Sequence, residues 1–398
     1  MSDLEIRTVP EADLDQMIVL ADLVFHGRTP DDEYDRQRWI LRRAERTGAY
    51  AGGVLAGQLA VVPMRLSVPG ALLDCSAVTY VGVLPTHRRR GVLTSMIERM
   101  HADAAAAGRP VAALWASQSA IYGRYGFGLA DRIAALEIDT RRPLALRADP
   151  DPRPLRFVDR DAVPEVLGPI HRRAIERRPG GLVRDAEWWR CGIVPRVHPE
   201  HEGRSEPRVV VMDGEPGGYA VYRTEHNGQG TVHLEDLEAD TPAVEAALWR
   251  FLAEIDLTDR VSAPTRPVDD LLRYLAADAD QVAFVRDEGA LWLRLIDAPA
   301  ALRARSWASE DDLVIDLRDA RLPANQGRWR LSAGTCEPTA DEPDLSLDTA
   351  ELAAAYLGGT RLRALARAGL VTEHTPGAAD RLDRAFAVPL APYTNDDF

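Results

Sequence analysis

The stretch VTYVGVLPTHRRRGVLTSMIERM, Val78 to Met100, constrains this chain more than any other. Its opening residues are apolar and rich in β-formers. After Gly91, the residues Leu93, Met96, Ile97, Met100 and Ala104 recur at helical period. The spacing predicts a strand, a short basic turn and an amphipathic helix ending near Gly108, then a buried strand over Val111–Ala116. Such a turn aims free backbone N–H groups and the positive end of a helix dipole at one point. Gly91 lets a ligand come close to the main chain, and Arg88, Arg89 and Arg90 can add charge-assisted hydrogen bonds to a phosphate. A solvated basic cluster at a helix start is the alternative that the turn alone leaves open. A Walker loop is excluded, because its glycine-lysine spacing is absent and the chain contains no lysine. One glycine also falls short of the three in a dinucleotide fingerprint.

At 398 residues the chain exceeds one ordinary core, and two or three domains are expected. The proline-rich RADPDPRP of Arg147–Pro154 reads as a linker, and a second joint lies at Asp287–Gly289. The expected segments are therefore 1–150, 151–288 and 289–398, of α/β (α+β) class. In the first, Leu14, Met17, Ile18 and Ala21 mark a helix within Ala12–Leu23. Strands are expected between Tyr50 and Val83, divided by Gly57 and Pro69-Gly70. In the second, Val209–Met212 and Tyr219–Arg223 read as strands, and Thr241-Pro242 opens a helix with Val244, Leu248, Phe251, Leu252 and Ile255 on one face. In the third, strands are expected at Leu313–Leu317 and within Gly327–Gly334, and a helix over Thr349–Leu357.

No run of about 18–20 uncharged apolar residues occurs, and the start of the chain is acidic, so a soluble, cytoplasmic protein without a standard export signal or a membrane partner is expected. Cys75, Cys191 and Cys336 are too few and too scattered for a disulfide framework or a metal-ligand spacing, so no metal is expected. The 48 basic and 62 acidic residues leave a net charge of −14, which repels nucleic acid and suits a polycationic small molecule.

The run Arg88-x-x-Gly91-x-Leu93 resembles the acetyl-CoA loop of the GNAT N-acetyltransferase superfamily, with leucine where that loop ends on a small residue. The superfamily's second element, a tyrosine four residues before Gly-Phe, is matched in LWASQSAIYGRYGFG by Tyr122, Gly126 and Phe127. Together with GYAVYR, ALWRFLAEID and LWLRLIDAPAALRAR, these strings resemble the Eis (enhanced intracellular survival) family of aminoglycoside acetyltransferases over essentially the whole chain. The resemblance implies tandem GNAT acyltransferase domains followed by a sterol carrier protein-like domain, a homo-hexamer, and acetyl-CoA as cosubstrate. It implies Tyr122 as general acid and the α-carboxylate of Phe398 as general base. It implies main-chain contacts of Val81 and Val83 to the pantetheine arm, with a nearby N–H polarising the acyl carbonyl. Arg88, Arg89, Gly91, Val92 and Thr94 would form the pyrophosphate turn. Phe25, Trp39 and Asp397 are the substrate-pocket candidates, and His26 stands where an acid is expected. Buried packing is the competing role for Tyr122, Phe25 and Trp39, and Tyr125 is read as a packing residue. Protein-lysine acetylation, a lipid carrier with inert GNAT domains, and a non-catalytic CoA sensor are the competing functions.

The middle segment is expected to be a degenerate copy of the first. Its equivalent turn, Glu235–Asp240, carries four carboxylates and neither glycine nor arginine, which should repel a phosphate.

Overall fold

The computed structural model describes residues 4–194, 203–226, 228 and 230–398. The first strands are β1 (Leu4–Thr8), β2 (Glu45–Ala51), β3 (Val54–Val68), β4 (Ala71–Val83), β5 (Val111–Trp115) and β6 (Gly128–Leu129). Next come β7 (Arg132–Asp139), β8 (Arg156–Phe157), β9 (Arg208–Met212), β10 (Gly218–His226), β11 (Gly230–Ala239), β12 (Arg260–Pro267) and β13 (Val282–Gly289). The last are β14 (Leu291–Leu295), β15 (Leu313–Arg318), β16 (Gly327–Ser332), β17 (Thr335–Pro338), β18 (Leu345–Asp348) and β19 (Val371–Glu373). They form three sheets, in the orders β1-β2-β3-β4-β5-β14-β6, β13-β7-β12-β11-β10-β9-β8 and β17-β16-β15-β18-β19. No helix among the described residues is long and apolar enough to cross a membrane.

The chain forms two compact units. One holds the residues up to Asp131 with Ala290–Pro392 and Asp396–Phe398; the other holds Arg132–Gly289 with Tyr393–Asn395.

In the first unit, β3 and β4 form a long hairpin closed at Pro69-Gly70, where Gly70 takes φ +76°. The Val92–Ala106 helix joins β4 to its parallel neighbour β5. Met96, Ile97, Met100 and Ala104 of that helix are buried against Leu59, Val61, Val78 and Leu114 of the sheet. Met96, Ile97 and Met100 each contribute roughly 1.5–3 kcal/mol on burial, and Ala104 less. The third sheet belongs to this unit as well, and the Thr349–Tyr356 helix packs flush on β6. A Cβ at Gly128 would meet the Ala350 carbonyl oxygen at 1.9 Å, so only glycine permits that approach.

Sheet membership divides the chain differently from residues 150 and 288. β7, from the expected first segment, pairs with β12 and β13 in the second sheet. β14, expected to open the third segment, lies between β5 and β6 in the first sheet. Proline and turn composition marks where the chain is irregular. It carries no signal for which sheet edge a strand joins.

The expected turn at Glu235–Asp240 is instead the end of β11, which runs to Ala239. Three of its four carboxylates, Glu235, Asp236 and Asp240, are paired with arginine. Buried Asp236 accepts from Arg184 at 2.6 Å and from the Tyr219 hydroxyl at 3.0 Å, and Glu235 accepts from Arg223 at 2.6 Å. With three acids paired and Glu238 held towards its neutral form by burial, the run repels far less than four free acids would, so the expected degeneracy loses its electrostatic basis.

Candidate active site

β4 and β5 pair only over Cys75–Ala77 and Val111–Ala113. Beyond that point the two strands part, β5 staying paired with β14 along its other side, and the edge of β4 from Val78 to Val83 is left without a strand partner on the β5 side. The β3–β4 register also slips there, from Ala60↔Thr79 to Gln58↔Gly82, so Tyr80 and Val81 together face Leu59. Tyr80 sits at φ 52°, which marks this bulge. The opened edge forms one wall of a cavity of about 680 Å³.

The opposite wall is the basic turn. Arg89 and Gly91 both take left-handed backbone, φ 61° and 81°, and the helix then begins at Val92 with no side chain capping it. Its first N–H groups are thus left for a ligand. Among the described residues, Arg88, Arg89 and Arg90 make no ion pair; Arg88 Nε reaches only the Val83 carbonyl oxygen, at 3.4 Å. In a chain this rich in arginine–carboxylate pairs, three adjacent unpaired guanidinium groups at an uncapped helix start fit an anion of more than one charge. A Cβ at Gly91 would meet nothing within 4 Å, so the glycine serves its backbone conformation. Free amides, unpaired cations and an open strand edge are the donors that a pyrophosphate and an amide-bearing arm require, so these residues fit acetyl-CoA.

The third wall is the loop after β5. Tyr122 is 5% exposed, lies edge-on to Phe127 with ring centroids 5.9 Å apart, and lines the cavity. Its hydroxyl has no hydrogen-bond partner among the described residues, which disfavours the reading of a satisfied core tyrosine. Burial, with the neighbouring Tyr125, pushes its hydroxyl up to about 12. Tyr125 is more deeply buried; its hydroxyl shares a hydrogen bond of 3.1 Å with Thr94 Oγ1, and its ring packs beneath Arg124. Gly126 caps the turn at φ 82° and rests on Arg294, whose Nη1 would lie 2.6 Å from a Cβ there. Arg294 is fully buried, donating to Asp319 and to Thr349 Oγ1 at 2.8 Å each.

The cavity brings together Val81, Val83, Arg88, Arg89, Gly91, Val92, Thr94, Tyr122, Phe25 and His26. Phe25 is 49% exposed, which favours a pocket role over a core one. Trp39, Asp397 and Phe398 are not among the lining residues. Trp39 instead packs beneath Arg43, 5.3 Å from its ring, Asp397 is exposed and Phe398 is buried. Sequence reasoning missed Ser117, Gln118 and Arg124 on the wall, and also Trp115, whose Nε1 donates to the Asp396 carbonyl oxygen at 2.8 Å. Ser117 and Gln118 were legible as the residues just past a strand end facing a basic turn. Nothing in the sequence couples residue 115 to residue 396.

Comparison with known proteins agrees with this geometry. Residues 5–130 and 180–295 each match an acetyltransferase (GNAT) domain, and residues 298–395 match a sterol carrier protein domain. An uncharacterized N-acetyltransferase of Streptomyces avermitilis is 37% identical over 94% of each chain. The N-acetyltransferase Eis of Mycobacterium tuberculosis is 32% identical over 89% of this chain and 88% of its own. The crystal structure of Eis1 from Mycobacterium abscessus superposes with a TM-score of 0.88 at 33% identity, covering 99% of this chain and all of the other.

Proposed function

Because the chain belongs to the Eis family of GNAT N-acetyltransferases, we propose that it acetylates primary amines of aminoglycosides or similar polycationic small molecules. Acetyl-CoA supplies an activated thioester, from which an acetyl group moves directly to a neutral amine. The observation that carries this reading is the cavity itself, which unites unpaired cations, an uncapped helix start and an unbonded tyrosine hydroxyl. The turn at Arg88, Arg89 and Gly91 grips the pyrophosphate. Main-chain groups of Val81 and Val83 hold the arm and polarise the acyl carbonyl. Burial keeps Tyr122 protonated across the physiological range, so its hydroxyl has a proton to give the departing sulfur. The Phe398 carboxylate takes the proton of the attacking amine. The chain's net charge of −14 favours the approach of a polycation. Assembly as a hexamer completes the reading, and sedimentation velocity tests it.

The test is release of CoA thiol from acetyl-CoA by untagged protein, against aminoglycosides, simple polyamines and lysine peptides. The chain has no lysine, so acetylation of its own side chains adds no background. Turnover is expected with the aminoglycosides at more than one acetyl group per molecule. Turnover confined to lysine peptides would overturn the substrate class and leave a protein-lysine acetyltransferase.

A further inference from the structure

The second unit contains the same opening in its sheet as the first. β11 and β12 pair in parallel only over Thr231–His233 and Arg260–Ser262. Beyond that point β11 runs beside β10 and β12 beside β7, so the edges at 234–239 and 263–267 part from one another. The register slip is repeated too. Val221↔Asp236 gives way to Tyr222↔Leu234, which leaves Glu235 as the bulge residue.

This opening is filled. The side chain of Asn395 spans it, donating from Nδ2 to the Glu235 carbonyl oxygen on β11 and accepting at Oδ1 from the Thr265 hydroxyl on β12, at 2.6 Å. The Tyr393 hydroxyl donates to the Thr265 carbonyl oxygen at 2.9 Å, and the Tyr393 amide donates to the Pro179 carbonyl oxygen at 2.9 Å. Gly180, at φ +110°, makes room for that strap, since a Cβ there would stand 2.9 Å from the Tyr393 amide nitrogen. Arg266 closes the same gap from within, donating to the Leu237 carbonyl oxygen at 2.9 Å and to Asp270 at 2.7 Å. The following helix, Pro242–Ala253, is capped by its own Thr241, whose Oγ1 accepts from the Val244 amide. The amide of Asn395 thus meets the bulge carbonyl of β11 at the place where, in the first sheet, a strand edge is left open.

We infer that the opening in the second sheet is the receptor for the chain's own segment Tyr393–Asn395, and that Thr265, Tyr393 and Asn395 are positioning residues for the final residues Asp396–Phe398. The positioning half rests on the reading of Phe398 as the general base. The receptor half does not. Amide mobility of the segment from Val388 to Phe398, measured by hydrogen exchange with mass spectrometry on the full chain, separates the two.

Thr265→Val removes one hydroxyl at nearly constant volume, and Asn395→Ala removes the spanning amide. Each is expected to speed exchange of the Tyr393 amide about tenfold, the loss of one or two hydrogen bonds. Each should also lower kcat several-fold while KM for acetyl-CoA stays within twofold, and Thr265→Ser should restore both values. Unchanged exchange in Thr265→Val and Asn395→Ala would overturn the receptor. Faster exchange with unchanged kcat would overturn the positioning role and place the failure in the assignment of Phe398.

Discussion

Two sheets of this protein open at the same topological point, and they are finished in opposite ways. In the first, the gap between β4 and β5 faces Arg88 and Arg89, unpaired among the described residues, and a helix start that no side chain caps. In the second, the gap between β11 and β12 is closed by Arg266, Tyr393 and Asn395, and Thr241 occupies the helix start. A phosphate site therefore depends on more than strand, turn and helix in sequence. The local donors must also be left without internal partners, and in the second sheet they are not.

The largest effect that would break this comparison concerns catalysis. Tyr122→Phe keeps the ring against Phe127 and removes only the hydroxyl. Its kcat should fall about 100-fold or more, the usual worth of a positioned general acid, with KM for acetyl-CoA little changed in steady-state thiol-release assays. Tyr219→Phe, in the closed unit, should leave turnover largely intact and reduce stability instead, because its hydroxyl serves Asp236.

Arginines in the two gaps should behave as opposites. Arg266→Met strands Asp270 and Glu245 in a buried site, so the second unit should lose about 3–5 kcal/mol in urea denaturation. Arg88→Ala and Arg89→Ala, at exposed and unpaired positions, should change stability by less than about 0.5 kcal/mol. Each should instead raise KM for acetyl-CoA about tenfold, as expected for a lost charge-assisted hydrogen bond.

The smallest effect is on pH dependence, and here the units should diverge. Burial, then nearby Asp236 for Glu238 and Asp270 for Glu245, pushes both carboxyls up to about 7. An acid that holds its proton more tightly when folded stabilises the fold fully below its unfolded value, near 4.5, and loses that contribution as pH rises through 7. The second unit should therefore gain stability on acidification from pH 7.5 to 5. His101 is the reverse case. Both its ring nitrogens are buried without partners among the described residues, and burial, with Arg294 nearby, lowers it to about 3. An imidazole kept neutral by folding costs stability as pH falls below about 6.5, because the unfolded chain binds the proton first. Amides of the Val92–Ala106 helix should thus exchange more freely relative to global opening at pH 5, while those of Pro242–Ala253 are held more firmly. The limiting slope is about 1.4 kcal/mol per pH unit for each group, and His101→Leu should abolish it in the first helix.

Much of the open site is legible in the amino-acid sequence. Arg88, Arg89, Gly91 and Tyr122 stand within short runs whose spacing dictates local backbone, and local backbone is what a run of sequence encodes most directly. Apolar periodicity likewise places the Val92–Ala106 helix and β5 within a residue or two. Trp39 escapes such reasoning because an aromatic residue on an amphipathic helix reads the same whether it faces a pocket or an arginine. The run Glu235–Asp240 escapes it too, because alternating acids look like a solvated turn unless their partners, Arg184 and Arg223, are known to lie alongside.

The sequence by itself therefore determined the elements, the basic turn, the candidate acid and the family to which the chain belongs. Only the tertiary structure decided that β7 joins the second sheet and β14 the first, that Gly126 rests on buried Arg294, and that one gap stays open while the other is filled. The physical reason is range. Turn geometry and helical period are set by neighbours a few residues apart, whereas strand exchange and the seating of Asn395 against Glu235 depend on partners about 160 positions away, chosen by burial and by the need to satisfy every buried polar group.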